Sequence, residues 1–197
     1  HMLADFGMRQ ASTKDLEIFA GDGVDVLVRR LLRFGGDEEA VHFDEAKKRY
    51  MEYFREGCMY HVKAYPGIPE VLEKLKAQGA KLAVLSNKPH ENTKSVIEQV
   101  FGKGMFDLVQ GQSGLFPRKP APDGALYLAD KFGVPAGECL YAGDTGTDMK
   151  TGKAAGMYTV GVLWGFRGRE ELLRDGADCI ISEAGELADI YGRGTKG

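Results

Sequence analysis

Cys139-Leu140-Tyr141-Ala142-Gly143-Asp144-Thr145-Gly146-Thr147-Asp148 joins a short apolar run to a glycine, an aspartate, a three-residue turn and a second aspartate. A small-residue helical pattern follows and stops at Gly156. A buried strand that ends this way delivers two carboxylates to one edge of a sheet, where a hard cation can be held. Taken by itself, the stretch is more simply read as a turn and a helix start. Asp148, followed by Met149, Ala154 and Ala155, can accept backbone N–H groups at the positive end of the helix dipole. The surrounding chain decides between the two readings.

Outward from that stretch, apolar runs of strand length alternate with helical patterns. Upstream, Ile68, Val71, Leu72 and Leu75 line a helix closed by Gly79, and Lys81 to Leu85 is a strand. Val96, Ile97, Val100 and Phe101 share the face of a second helix, followed by a strand from Asp107 to Gln110. A helix bearing Ala125, Leu128, Ala129 and Phe132 then leads to Cys139. Downstream come strands from Tyr158 to Leu163 and from Cys179 to Ile181, separated by a helix around Leu172. Strands apolar on both faces, alternating with helices, predict an α/β fold with a Rossmann-like parallel sheet covered by helices on two sides.

Before Pro66-Gly67 the periodicity is helical throughout. Val24, Leu27, Val28, Leu31 and Leu32 form one apolar stripe, and Gly35-Gly36 supplies the stop. A second helix carries Phe43, Ala46, Tyr50, Tyr53 and Phe54 and ends near Gly57. A shorter one containing Leu16 and Phe19 breaks at Gly21-Asp22-Gly23, and Leu3 to Phe6 reads as the tail of a helix. The expected division is a helical domain over 1–64 and an α/β core over 65–197.

The 26 basic and 29 acidic residues leave a formal charge of −3, which gives no electrostatic footprint for nucleic acid or a membrane surface. A small-molecule partner is expected. Cys58, Cys139 and Cys179 are odd in number and widely spaced, and two lie in apolar runs, which suits buried thiols in a reducing cytoplasm. No run is long and apolar enough to span a bilayer, and no secretory signal opens the sequence.

Ligands of open parallel sheets gather at the carboxyl ends of the strands. There, Ser86-Asn87-Lys88-Pro89 offers a hydroxyl and backbone N–H groups, although taken alone an ordinary Ser-Asn turn and cap is the simpler reading. Pro117-Arg118-Lys119-Pro120-Ala121-Pro122-Asp123 holds Lys119 between prolines that stiffen the loop, and Asp123 is placed to cap the next helix. Ser86, Lys119, Asp144 and Asp148 converge on one rim. A hydroxyl and an ammonium suit phosphate oxygens, and a carboxylate pair suits Mg²⁺, the combination that phosphoryl transfer requires.

In these motifs the chain resembles the haloacid dehalogenase superfamily, and within it the phosphoglycolate phosphatase-like group with a helical cap. The resemblance runs through Gly21 to Leu27, Tyr65-Pro66-Gly67, Leu85 to Pro89, Arg118 to Asp123 and Gly143 to Gly156. It implies a Mg²⁺-dependent phosphatase for a small phosphate monoester, with 2-phosphoglycolate the first candidate and phosphoglucomutase-like or pyrophosphatase-like chemistry as alternatives. It further implies that Ser86 binds the phosphoryl group, Asn87 contacts or orients it, and Lys119 stabilises charge on phosphate and nucleophile. Asp144 would ligate Mg²⁺, Asp148 would do so directly or through water, and the cap would close over the site and select the substrate.

The family's first motif, a strand followed by D-x-D-G-T with the nucleophilic aspartate, has no counterpart here. Asp5 and Asp22 to Asp25 lie in helical surroundings. The expectation is that this strand belongs between the strands ending at Leu85 and Ala142, which would then not pair with each other. Absence of the nucleophile also motivates a different reading, a catalytically inactive domain that binds phosphate or a protein partner. A receiver-like signalling domain fits less well, since it predicts no helical segment before Pro66.

Overall fold

The computed structural model describes residues 1–194 and divides into two compact units, His1–Val62 and Lys63–Gly197.

His1–Val62 is helical, with α1 (Met2–Asp5), α2 (Thr13–Phe19), α3 (Val24–Gly35) and α4 (Phe43–Gly57). The stripe on α3 is the centre of its core: Val28, Leu31 and Leu32 are buried with Met2, Leu3 and Ala46, and Leu27, Phe43 and Tyr50 pack around them. Gly36 ends α3 at φ 105°, a conformation open to glycine and strained for other residues. Ser12 and Asp15 close a reciprocal capping box on α2.

Lys63–Gly197 carries the alternating pattern. In order it contains α5 (Ile68–Ala77), β1 (Ala83–Pro89), α6 (His90–Phe101), β2 (Leu108–Gln112), α7 (Asp123–Phe132), β3 (Leu140–Gly143) and α8 (Gly146–Ala154). Then follow β4 (Tyr158–Val162), α9 (Arg169–Arg174), β5 (Cys179–Ile181) and α10 (Glu186–Gly194). Every strand pair is parallel, as apolar strands joined by helices require. Among the described residues the strands form a two-stranded sheet, β1-β2, and a three-stranded sheet, β3-β4-β5. β1 and β3 do not pair with each other, as the sequence led us to expect.

Leu82 belongs to an apolar cluster built on α5 and α10, with Val71, Leu72, Leu75, Ala184 and Ala188. Leu85 instead packs with Tyr141 against Ala125 and Ala129 of α7. An odd separation along an extended chain places Leu82 and Leu85 on opposite faces. The strands therefore lie between two apolar helical layers.

Several boundaries differ from the sequence reading. β1 continues past Leu85 to Pro89, with a register shift before Pro89 meets Gln112. Asp107 is not the first residue of β2; its carboxylate accepts from the Leu82 amide at 2.8 Å. Asp123 is the first residue of α7 and makes no side-chain cap, Pro122 holding the cap position. Cys58, Cys139 and Cys179 form no disulfide and are only half-buried, because Cys139 precedes β3 and Cys179 begins the short β5.

Candidate active site

The site assembles where β1 and β3 end. Asp148 is the third residue of α8, and Thr145 is the true N-cap. One Asp148 oxygen accepts from the Thr145 amide at 3.2 Å and from its hydroxyl at 2.7 Å, while the Thr145 hydroxyl accepts from the Asp148 amide at 3.2 Å. This capping box fixes the carboxylate at the helix dipole's positive end. The other oxygen, Oδ1, accepts from Lys119 Nζ at 2.6 Å. Cap and ion pair are thus both present, each using one oxygen.

Lys119 and Asp148 are nearly enclosed, with side chains 12% and 10% exposed. The ammonium also donates to the Leu85 carbonyl at 3.3 Å and bonds to the Tyr141 hydroxyl. Burial by itself would lower the Lys119 pKa, but the Asp148 charge and the Tyr141 contact outweigh it and raise it. Burial pushes the Tyr141 hydroxyl up to about 12, so it remains a neutral partner. The Lys119–Pro120 peptide is cis.

Asn87, on β1, holds the lysine's main chain from both sides. Its carboxamide donates to the Lys119 carbonyl at 3.2 Å, and its oxygen accepts from the Lys119 amide at 2.9 Å. The Ser86 hydroxyl accepts from the Lys88 amide at 3.1 Å and lines a tight hollow with Asn87, Phe116 and Lys119.

Asp144, directly after β3, accepts from the Phe166 amide at 2.9 Å. Burial raises its pKa and the nearby Asp148 charge adds to the effect, whereas the Phe166 bond and the Lys119 charge oppose it. The loop that supplies Phe166 gave no signal in the sequence. A Cβ on Gly165 would run into the Asp144 carboxylate, and one on Gly143 would run into Asp148, so glycine is required at both positions.

Ser86, Asn87, Lys119, Asp144 and Asp148 are therefore brought to one end of the strands. Among the described residues no set of three or more His, Cys, Asp or Glu side chains forms a metal cage. A desolvated carboxylate pair is nonetheless a fair match for Mg²⁺, which takes one or two carboxylates and completes its octahedron with water and phosphate oxygens.

An open α/β unit with an ammonium and paired aspartates at its carboxyl edge has the charges that phosphoryl transfer uses. The haloacid dehalogenase-like hydrolase family model matches residues 1–162, and the chain belongs to that family. It is phosphoglycolate phosphatase-like. It is 33% identical over 168 residues to the phosphoglycolate phosphatase of Aquifex aeolicus, covering 83% of this chain and 74% of that protein. The enzyme of the same name from Neisseria meningitidis is 32% identical over 195 residues, covering 96% and 82%. A crystal structure from Lactobacillus delbrueckii that carries the phosphoglycolate phosphatase name superposes with a TM-score of 0.89 at 29% identity, covering 96% of this chain and 87% of that one. No described helix is long and apolar enough to cross a membrane.

Proposed function

We propose that this chain supplies the phosphate- and metal-binding machinery of a Mg²⁺-dependent phosphatase for a small phosphate monoester, with 2-phosphoglycolate the first candidate. The observation that carries the reading is the Lys119–Asp148–Asp144 cluster at the carboxyl ends of β1 and β3. The relatives named for phosphoglycolate supply the substrate class.

Each residue has a role that its surroundings support. Ser86 donates its hydroxyl to a phosphate oxygen. Lys119, held by Asn87 through its main chain, offsets negative charge as the P–O bond breaks. Asp144 and Asp148 would hold Mg²⁺, which would supply positive charge to the phosphoryl oxygens. Asn87 is an orienting residue in this scheme, since its carboxamide is engaged with the lysine loop. His1–Val62 serves as the cap that excludes water and selects substrate. The nucleophile is none of these groups. The family resemblance would make it an aspartate that takes the phosphoryl group as a phosphoaspartate while the alcohol leaves, and water would then hydrolyse that intermediate.

One observation favours the alternative of a non-catalytic binding domain. The Lys119 ammonium already has Asp148, Leu85 and Tyr141 as partners, so phosphate must compete for it. Mg²⁺-dependent release of phosphate from 2-phosphoglycolate, by a chain that includes the nucleophile, separates the two. The phosphatase reading requires Asp144→Asn to abolish turnover, and turnover indifferent to that change would defeat it.

A further inference from the structure

An ammonium has three N–H groups, and Lys119 Nζ meets three acceptors: Asp148 Oδ1 at 2.6 Å, the Leu85 carbonyl at 3.3 Å and the Tyr141 hydroxyl. No donor is left over for a phosphate oxygen, so one partner must give way when phosphate binds. The three differ in what their loss costs.

Asp148 is charged and nearly enclosed, and Thr145 fixes its other oxygen, so separating it from Lys119 strands two opposite charges. The Leu85 carbonyl is main chain and cannot turn to find another donor. Tyr141 is different. Its hydroxyl is also bonded to Thr151, which is 0% exposed and whose own hydroxyl donates to the Thr147 carbonyl at 2.7 Å. A carbonyl can only accept and an ammonium can only donate, so the chain of bonds has one direction: Lys119 to Tyr141, Tyr141 to Thr151, Thr151 to Thr147. If the ammonium turns away, the phenol keeps the bond it donates and loses only one it accepts. Its release therefore costs least.

The phenol cannot follow the ammonium. Tyr141 packs against Ala125, Ala129, Ala155 and Met157, and a Cβ on Gly152 would come within 3.0 Å of the Tyr141 Cβ, so α8 lies directly on the base of the side chain. Ser86 and Lys119 line the tight hollow described above, and Tyr141 is not part of it. An ammonium that moves to an oxyanion beside Ser86 leaves the phenol behind.

We infer that Tyr141 is a neutral stand-in for phosphate: its hydroxyl occupies the third N–H of Lys119 when no phosphate is bound and yields it to a phosphate oxygen. This rests on the proposed role of Lys119 in binding phosphate, and it adds the residue that sets how tightly phosphate is held. An interaction present only in the unliganded state weakens binding by its own worth. The phenol thus favours release of product phosphate. Removing its oxygen should tighten phosphate binding, the reverse of what damage to a packed side chain does.

The test is a calorimetric titration of residues 1–197 with inorganic phosphate in the presence of Mg²⁺, comparing the native chain with Tyr141→Phe, each with and without Lys119→Met. The inference expects Tyr141→Phe to tighten phosphate ~tenfold, the worth of one hydrogen bond to a charged group, and to have no effect once Lys119 is replaced. Tyr141→Met, which also lacks the hydroxyl, should tighten binding in the same way. Lys119-dependent binding that is unchanged or weaker in these variants overturns the inference and leaves the proposed function standing. Phosphate binding that is absent, or indifferent to Lys119→Met, overturns both.

Discussion

Asp148→Asn leaves the Lys119 ammonium in a nearly closed environment without its counter-charge. The side chains are 12% and 10% exposed and 2.6 Å apart, so the pair belongs to the buried class. Removing one partner of such a pair costs about 3–5 kcal/mol, far more than the worth of an exposed pair. Here the low end applies, because the Leu85 carbonyl and Tyr141 hydroxyl remain with the ammonium, and asparagine can still accept from Thr145. The expected loss is about 3 kcal/mol, with a similar figure for Lys119→Met, which strands the carboxylate instead. The double variant should lose much less than the sum, giving a coupling of about 2 kcal/mol in a double-mutant cycle. Urea unfolding followed by Trp164 fluorescence measures it, since Trp164 is the only tryptophan and packs in the core of Lys63–Gly197. Losses that simply add would mean that the two charges are independently solvated and do not form a buried pair.

Three further changes test other parts of the account. Burial raises the Asp144 pKa, so the native state binds that proton more readily than the unfolded chain, and this group's contribution to stability falls as pH rises above about 4. Asp144→Asn should remove that slope and leave stability at pH 7 equal or higher, while calorimetry shows Mg²⁺ binding lost. Gly165→Ala places a methyl against the Asp144 carboxylate and should weaken Mg²⁺ binding ~10–100-fold in the same titration, with the circular dichroism spectrum unchanged. Leu32→Ala, at a position with 0% exposure in the helical core, should destabilise His1–Val62 by about 2–5 kcal/mol, seen as an earlier loss of helical ellipticity in urea.

Much of this architecture was legible in the chain. The α3 stripe and its Gly35-Gly36 stop are statements of periodicity and backbone freedom, and they hold without tertiary information. The parallel pairing follows from apolar runs separated by helices. The non-pairing of β1 and β3 was legible only through a motif comparison, since nothing in Leu82 to Leu85 or Leu140 to Gly143 marks which edge stays open. The exact cap at α8 was missed because Thr145 and Asp148 are both good capping residues, and the choice depends on where Asp148's second oxygen finds Lys119. The dual engagement of Asn87 with Lys119, and the approach of Gly165 and Phe166 to Asp144, join residues far apart in sequence. Local pattern carries no trace of such contacts.

The most direct measurement is phosphate release from 2-phosphoglycolate with Mg²⁺, by a chain that includes the nucleophile, comparing native Lys119 with Lys119→Met. Turnover is expected to require Mg²⁺ and to fall by ~10²–10³-fold without the ammonium. Turnover that survives Lys119→Met unchanged would contradict that role of the ammonium.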